Sequence, residues 1–258
     1  MKNIRANMFM IHPGAGGCEV YIDLAKKISE DFDCYGIDSY NMYSKDKIDN
    51  LNKLADYYLS YIDNIMKQTN QKEYNILGWS LGGQIALEIA TILESRYVKK
   101  VNLYIIDTIL TDDYLESLGD EEDIKKREER FINYAVENGF SREYLDKVLP
   151  NIEVEMNLGK QKISAALNDS KILLFKAMFE DISFSNVIVN YKEVCSYISN
   201  MKYNNIDKCI KNMSNLTLLE VHNADHSNIL KQVNFLCESI ISWYKNKTRA
   251  FKTDDWKD

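Results

Sequence analysis

The stretch Gly78-Trp79-Ser80-Leu81-Gly82-Gly83 sets a serine between glycines two residues away on either side. An apolar run precedes it (Tyr74 to Leu77), and apolar residues at helical spacing follow it (Ile85, Ile89, Ile92). A strand that becomes a helix within so few residues reverses so sharply at Ser80 that side chains at positions 78 and 82 would collide with neighbouring backbone. Such a turn lifts the Ser80 hydroxyl clear of the sheet. It also places the backbone N–H of Leu81 at a helix N-terminus, where it would face an oxyanion forming beside the serine. The chemistry expected is nucleophilic attack by serine on a carbonyl carbon.

A serine hydroxyl needs an adjacent base at neutral pH, and the chain offers three histidines, His12, His222 and His226. His226 is the natural base, because Asn223-Ala224-Asp225-His226-Ser227 follows the last expected strand, at the edge where α/β sites assemble. His12 precedes a glycine loop and could line the same cleft, and His222 reads as structural. His222 and His226 share the His-x-x-x-His spacing of zinc sites. Position 223 is Asn, the context is strand to loop and no third ligand suggests itself, so no metal is expected. The imidazole in turn needs a carboxylate to hold its tautomer. Asp107 ends the buried run Val101 to Ile106 and is the expected acid. The alternatives are weaker: a strand expected over Val194 to Ile198 ends in Ser199-Asn200, Asp207 is the nearest acid beyond it, and Asp225 adjoins His226 too closely to reach around the ring.

A second glycine cluster, His12-Pro13-Gly14-Ala15-Gly16-Gly17, follows the first expected strand. It is no dinucleotide fingerprint, since position 19 is Glu, and it lacks the Gly-Lys-Ser/Thr of a phosphate loop, so no bound cofactor is expected. Its small residues let backbone approach a substrate closely. The second oxyanion N–H is assigned to Gly14, with Ala15 the competitor.

These residues need a frame that brings distant segments to one edge. Short apolar runs at Met8–Ile11, Cys34–Ile37, Tyr74–Leu77 and Val101–Ile106 alternate with helical patterns, which argues for a mostly parallel α/β sheet with right-handed crossovers. From about 111 to about 185 the pattern reads as helices with no strand, an insertion into one domain spanning 1–258. Its first part, Asp112 to Arg130, holds nine acidic and four basic residues and reads as a solvated face. Its later part carries Phe131, Tyr134, Phe140, Tyr144, Phe175, Met178 and Phe179, which could cover a cleft. Strands resume at Val194–Ile198 and Leu216–Val221, a last helix runs from about Ser227 to Lys245, and the polar end through Trp256 reads as frayed.

Composition excludes other classes. The net charge of −7 repels phosphate backbones, so nucleic acid is not an expected partner. No stretch approaches the roughly 18 apolar residues of a membrane span. Five scattered cysteines without a Cys-x-x-Cys pair fit reduced thiols and a cytoplasmic setting. Ten glycines and two prolines are few for 258 residues, and six of those glycines fall in the two clusters.

Taken together, His-Pro-Gly-Ala-Gly-Gly, Gly-Trp-Ser-Leu-Gly-Gly, Ile-Ile-Asp-Thr and Ala-Asp-His-Ser resemble the thioesterase domains of nonribosomal peptide and polyketide synthetases, over nearly the whole chain. The resemblance implies an α/β-hydrolase fold with a helical lid, and a triad in the order Ser80, Asp107, His226. It further implies release of an acyl or peptidyl chain from the phosphopantetheine thiol of a carrier protein, by hydrolysis or cyclisation, in antibiotic-type biosynthesis. Editing thioesterases of the same superfamily usually place the acid one strand later, where none is expected in this chain, so the resemblance favours the chain-terminating type. A general carboxylesterase, an editing thioesterase and a non-catalytic hydrolase-fold binding protein are the other readings.

Overall fold

The computed structural model describes residues 5–118, 124–137, 139–185, 188 and 190–254. Six strands, β1 (Ala6–Ile11), β2 (Phe32–Ile37), β3 (Tyr74–Trp79), β4 (Val101–Ile106), β5 (Lys171–Ala177) and β6 (Leu216–Val221), form one sheet in the order β2-β1-β3-β4-β5-β6. Every pairing between them is parallel. Parallel neighbours require crossovers over a face, so the central strands are covered on both sides and their sequences are continuous apolar runs rather than alternating ones. Every residue of β1 and β4 is buried.

Alternate residues of each strand enter two separate cores. Phe9, Ile11, Ile76, Leu103, Ile105, Ile172 and Leu174 face α3 (Leu51–Thr69) and α4 (Leu81–Tyr97). Met8, Met10, Leu77, Tyr104, Ile106, Leu173 and Phe175 face α1 (Ile22–Ile28) and α10 (Val233–Asp254). A four-residue helix, α2 (Tyr40–Tyr43), leads toward α3. The amphipathic stripe of α3 explains its docking: Leu51, Leu54, Ala55, Tyr58, Leu59, Ile62 and Met66 are buried. Each such Leu or Ile contributes about 1.5–3 kcal/mol. Asn50 caps its start by accepting from the Lys53 N–H, and Asn70, at φ 52°, ends it.

The crossover from β4 to β5 holds α5 (Asp113–Ser117), α6 (Ile124–Glu137), α7 (Arg142–Val148) and α8 (Ile152–Gly159). The helical insertion therefore ends earlier than the expected 185, because Lys171–Ala177 is a central strand of the sheet. Its Ile172-Leu173-Leu174-Phe175 run is too short for periodicity to tell strand from buried helix. Phe175, expected over a cleft, is buried in the core beneath α10. The converse correction falls at Val194–Ile198, which lies in α9 (Tyr191–Asn200) rather than in a strand. Val194, Tyr197, Ile198 and Met201 share one helical face and pack with Ile109 and Leu115. The last helix starts at Val233, later than expected, after a 3₁₀ turn at Ile229–Lys231. The Tyr134 side chain and Trp256 lie outside the described residues.

Candidate active site

Strand register decides which residues meet. Trp79 pairs with Ile106, so Ser80 and Asp107 each emerge one residue beyond the carboxyl ends of neighbouring strands. Ile11 pairs with Gly78, so the loop after β1 emerges on the other side of the elbow. His226 follows β6, two strands away from β4. The segment after β6 folds back across the end of β5, where the Met178 N–H donates to the Val221 carbonyl and the Phe179 N–H to the Ala224 carbonyl.

The elbow has the conformation its glycines suggest. Ser80 sits at φ 55°, ψ −125°, a region that residues with a Cβ disfavour. The Thr108 hydroxyl holds the Ser80 carbonyl at 2.8 Å, and the Ser80 N–H donates to the Ile106 carbonyl. A Cβ on Gly78 would overlap the Gly82 carbonyl group, and one on Gly82 would come within 2.5 Å of the Ile11 carbonyl oxygen. The first glycine is thus demanded by the turn itself and the second by the close passage of β1.

The three expected residues converge. His226 Nε2 lies 3.1 Å from Ser80 Oγ, and Nδ1 lies 2.8 Å from Asp107 Oδ2. Asp107 is buried, and its other oxygen accepts from the Ala177 N–H at 3.0 Å and from Asn204 Nδ2 at 3.3 Å. These donors hold the carboxylate and fix the plane in which it meets the imidazole. Trp79 and Phe184 flank the His226 ring at 5.4 and 6.2 Å between centroids.

The competing residues have other partners. His12 is buried, with Nε2 2.9 Å from the Tyr58 hydroxyl and Nδ1 2.8 Å from the Pro13 carbonyl, so it braces the loop from below. His222 is exposed and faces Glu220 at 3.4 Å. Asp225 is bound to Asn228, whose N–H and side-chain amide it accepts.

One acid was missed with β5. The strand after β4 ends at Ala177, and Asp181 follows it, so a carboxylate does stand where the sequence reading found none. Its Oδ2 accepts from the N–H of Ser227 at 3.0 Å and from the Ser227 hydroxyl, and its Oδ1 from the Ser183 N–H. It therefore tethers the residue after His226, while the imidazole itself turns to Asp107. Asn204 was also missed; its signal is the Asn204-Asn205 pair, at φ 52° and 64°, a backbone form that asparagine tolerates.

Gly14 and Leu81 both line the cleft beside Ser80, and a Cβ on Gly14 would lie 3.7 Å from that of Leu81. Among the described residues, neither backbone N–H has an acceptor. The Ala15 N–H is engaged by the Glu155 carboxylate. The cleft encloses about 1170 Å³, and Phe131, Tyr144 and Met156 of the insertion line it with Met178, Phe179 and Phe184.

A model of the thioesterase domain family matches residues 6–244. Polyketide synthase PksR of Bacillus subtilis (strain 168) is 27% identical over 164 residues, 63% of this chain and 6% of that protein. Malpibaldin synthetase of Mortierella alpina is 32% identical over 110 residues, 43% of this chain and 2% of that protein. The chain thus spans a small part of the length of these relatives. Among solved structures, the NocB thioesterase domain in covalent complex with a fluorophosphonate nocardicin G analogue superposes with a TM-score of 0.65 at 16% identity. That likeness covers 92% of this chain and 93% of that one, and it shows a shared fold.

Proposed function

The chain belongs to the thioesterase domain family, and from that premise we propose that it releases acyl or peptidyl chains from a carrier-protein thioester through an acyl-enzyme on Ser80. In this mechanism His226 Nε2 takes the Ser80 proton as Oγ attacks the thioester carbonyl carbon. The oxyanion is met by the N–H groups of Leu81 and Gly14, and Asp107 stabilises the imidazolium. Collapse of the tetrahedral intermediate breaks the carbon–sulfur bond, and the departing thiolate takes the proton from His226. A water, or a hydroxyl or amine of the bound chain, then loses its proton to His226 as it attacks the acyl carbon, and Ser80 leaves reprotonated.

The observation that carries this reading is the continuous hydrogen-bonded line from Ser80 Oγ through His226 to Asp107. A thioester suits the site chemically, because a thiolate leaves with little acid assistance. The large, partly apolar cleft supports an extended chain rather than a small acyl group. The synthetase context of the relatives supports a phosphopantetheinyl carrier protein as the partner that delivers it. The bond from His226 to Asp107, rather than to Asp181, favours the chain-terminating type over the editing type.

Mass spectrometry of products from matched thioesters and oxygen esters, each with acyl and peptidyl chains, tests the reading. Faster turnover of the peptidyl thioesters, as acid or cyclic product, is expected. Preference for oxygen esters would make the protein a carboxylesterase, and preference for short acyl thioesters would make it an editing enzyme. No turnover of either would leave the fold as a binding module.

A further inference from the structure

Two side chains from the insertion between β4 and β5 reach the loop that follows β1. Glu155 of α8 is 4% exposed. Its Oε2 accepts from the Ala15 N–H at 2.5 Å, and its Oε1 accepts from the Ser39 hydroxyl at 2.7 Å. The Tyr144 hydroxyl of α7 accepts from the Gly17 N–H at 3.3 Å and donates to Glu19. The loop has need of such holds. Ala15 is at φ 55°, a conformation that a residue with a Cβ adopts only when its surroundings enforce it. Gly14, the next residue back, carries the N–H beside Leu81.

A buried carboxylate is costly unless its oxygens are satisfied, and here a backbone N–H and a hydroxyl satisfy one oxygen each. Glu155 is thereby committed to the loop. We propose that Glu155 is a positioning residue for acyl transfer: it pins Ala15 so that the neighbouring Gly14 N–H is held at the oxyanion position. The helical insertion is then part of the oxyanion hole as well as a wall of the substrate cleft, and any movement of α8 changes catalytic power together with access. The inference rests on the acyl-transfer reading above.

The test compares the rate of Ser80 labelling by a fluorophosphonate, whose phosphoryl oxygen occupies the oxyanion position, with kcat and KM for a peptidyl thioester. Glu155→Met keeps the side-chain volume and removes both acceptors. It is expected to slow labelling and lower kcat by about tenfold or more, less than the 10²–10³ of deleting a donor outright, with KM within about threefold. Glu155→Gln keeps an acceptor for the Ala15 N–H and can turn its amide to Ser39, so it is expected to recover most of the rate. A merely structural role would lower the melting temperature of Glu155→Met without this split.

Labelling of Glu155→Met at the wild-type rate overturns the proposal. Faster labelling overturns it too and makes the carboxylate a stopper on the Ala15 N–H. Should Glu155→Met not fold, Glu155→Asp, whose side chain is one methylene shorter and draws the acceptor back from the Ala15 N–H, carries the comparison; a several-fold fall supports the proposal and no change overturns it. A wild-type protein that takes no label overturns the acyl-transfer reading itself, a result distinct from unequal or equal rates among labelled variants.

Discussion

His226 Nδ1 lies 2.8 Å from Asp107 Oδ2 although 119 residues separate them in the chain. The segment after β6 crosses the end of β5 to make that contact, passing Asp181, whose carboxylate holds Ser227 but leaves the imidazole free to turn toward β4. Two carboxylates thus serve one histidine, one at its ring and one at its backbone neighbour.

Their roles separate by substitution. Asp107→Asn presents an amide to Nδ1 and disturbs the tautomer, so kcat is expected to fall by about 10⁴-fold with the fold intact. Asp181→Asn weakens a charge-assisted anchor and is expected to cost about 1–3 kcal/mol of stability, with a far smaller fall in kcat. Steady-state kinetics beside thermal melting distinguish the two, and a larger kinetic loss for Asp181→Asn would move the acid to β5.

Gly78→Ala tests the elbow. The added Cβ meets the Gly82 backbone, which cannot yield as a flexible side chain would. Destabilisation of about 1–3 kcal/mol is expected, together with loss of phosphonate labelling, because relief of the overlap must move Ser80. Gly159→Ala, in α8 with open space around the new Cβ, is the control and is expected to retain labelling.

Asp112 gives a pH prediction. Burial alone would raise its pKa, but hydrogen bonds from Lys208, the Leu115 N–H, Tyr197 and Asn205 outweigh that and hold it well below the usual carboxylate range. A group whose folded pKa is depressed stabilises the fold above its unfolded value, about 3.9, and loses that contribution as pH falls toward the folded value. Asp112→Asn is therefore expected to lower stability by about 1–3 kcal/mol at pH 7, with the gap to wild type narrowing below about pH 4. Urea denaturation at pH 7 and pH 3 reads this directly, and a gap independent of pH would refute it.

The site was more legible in the sequence than the frame around it. Ser80, Asp107 and His226 each stand just beyond an apolar run, and parallel sheets deliver such positions to one edge. Gly78 and Gly82 announced the turn because no other residue fits there. The run Ile172–Phe175 gave no comparable signal, and missing it concealed Asp181. Val194, Tyr197 and Ile198 read as a strand because their helical spacing spans barely one turn. Glu155 offered a faint sign, a carboxylate sharing a helix face with Ile152, Leu158 and Gly159, but only the fold shows that its partner is the Ala15 N–H.

Intact-mass and peptide-mapping analysis after reaction with a serine-directed fluorophosphonate reads out the covalent chemistry of Ser80. One adduct, on Ser80, is expected, with thioester turnover abolished in step, and neither adduct nor turnover in Ser80→Ala. An adduct on another residue, or turnover that survives Ser80→Ala, would contradict a covalent acyl-enzyme on Ser80.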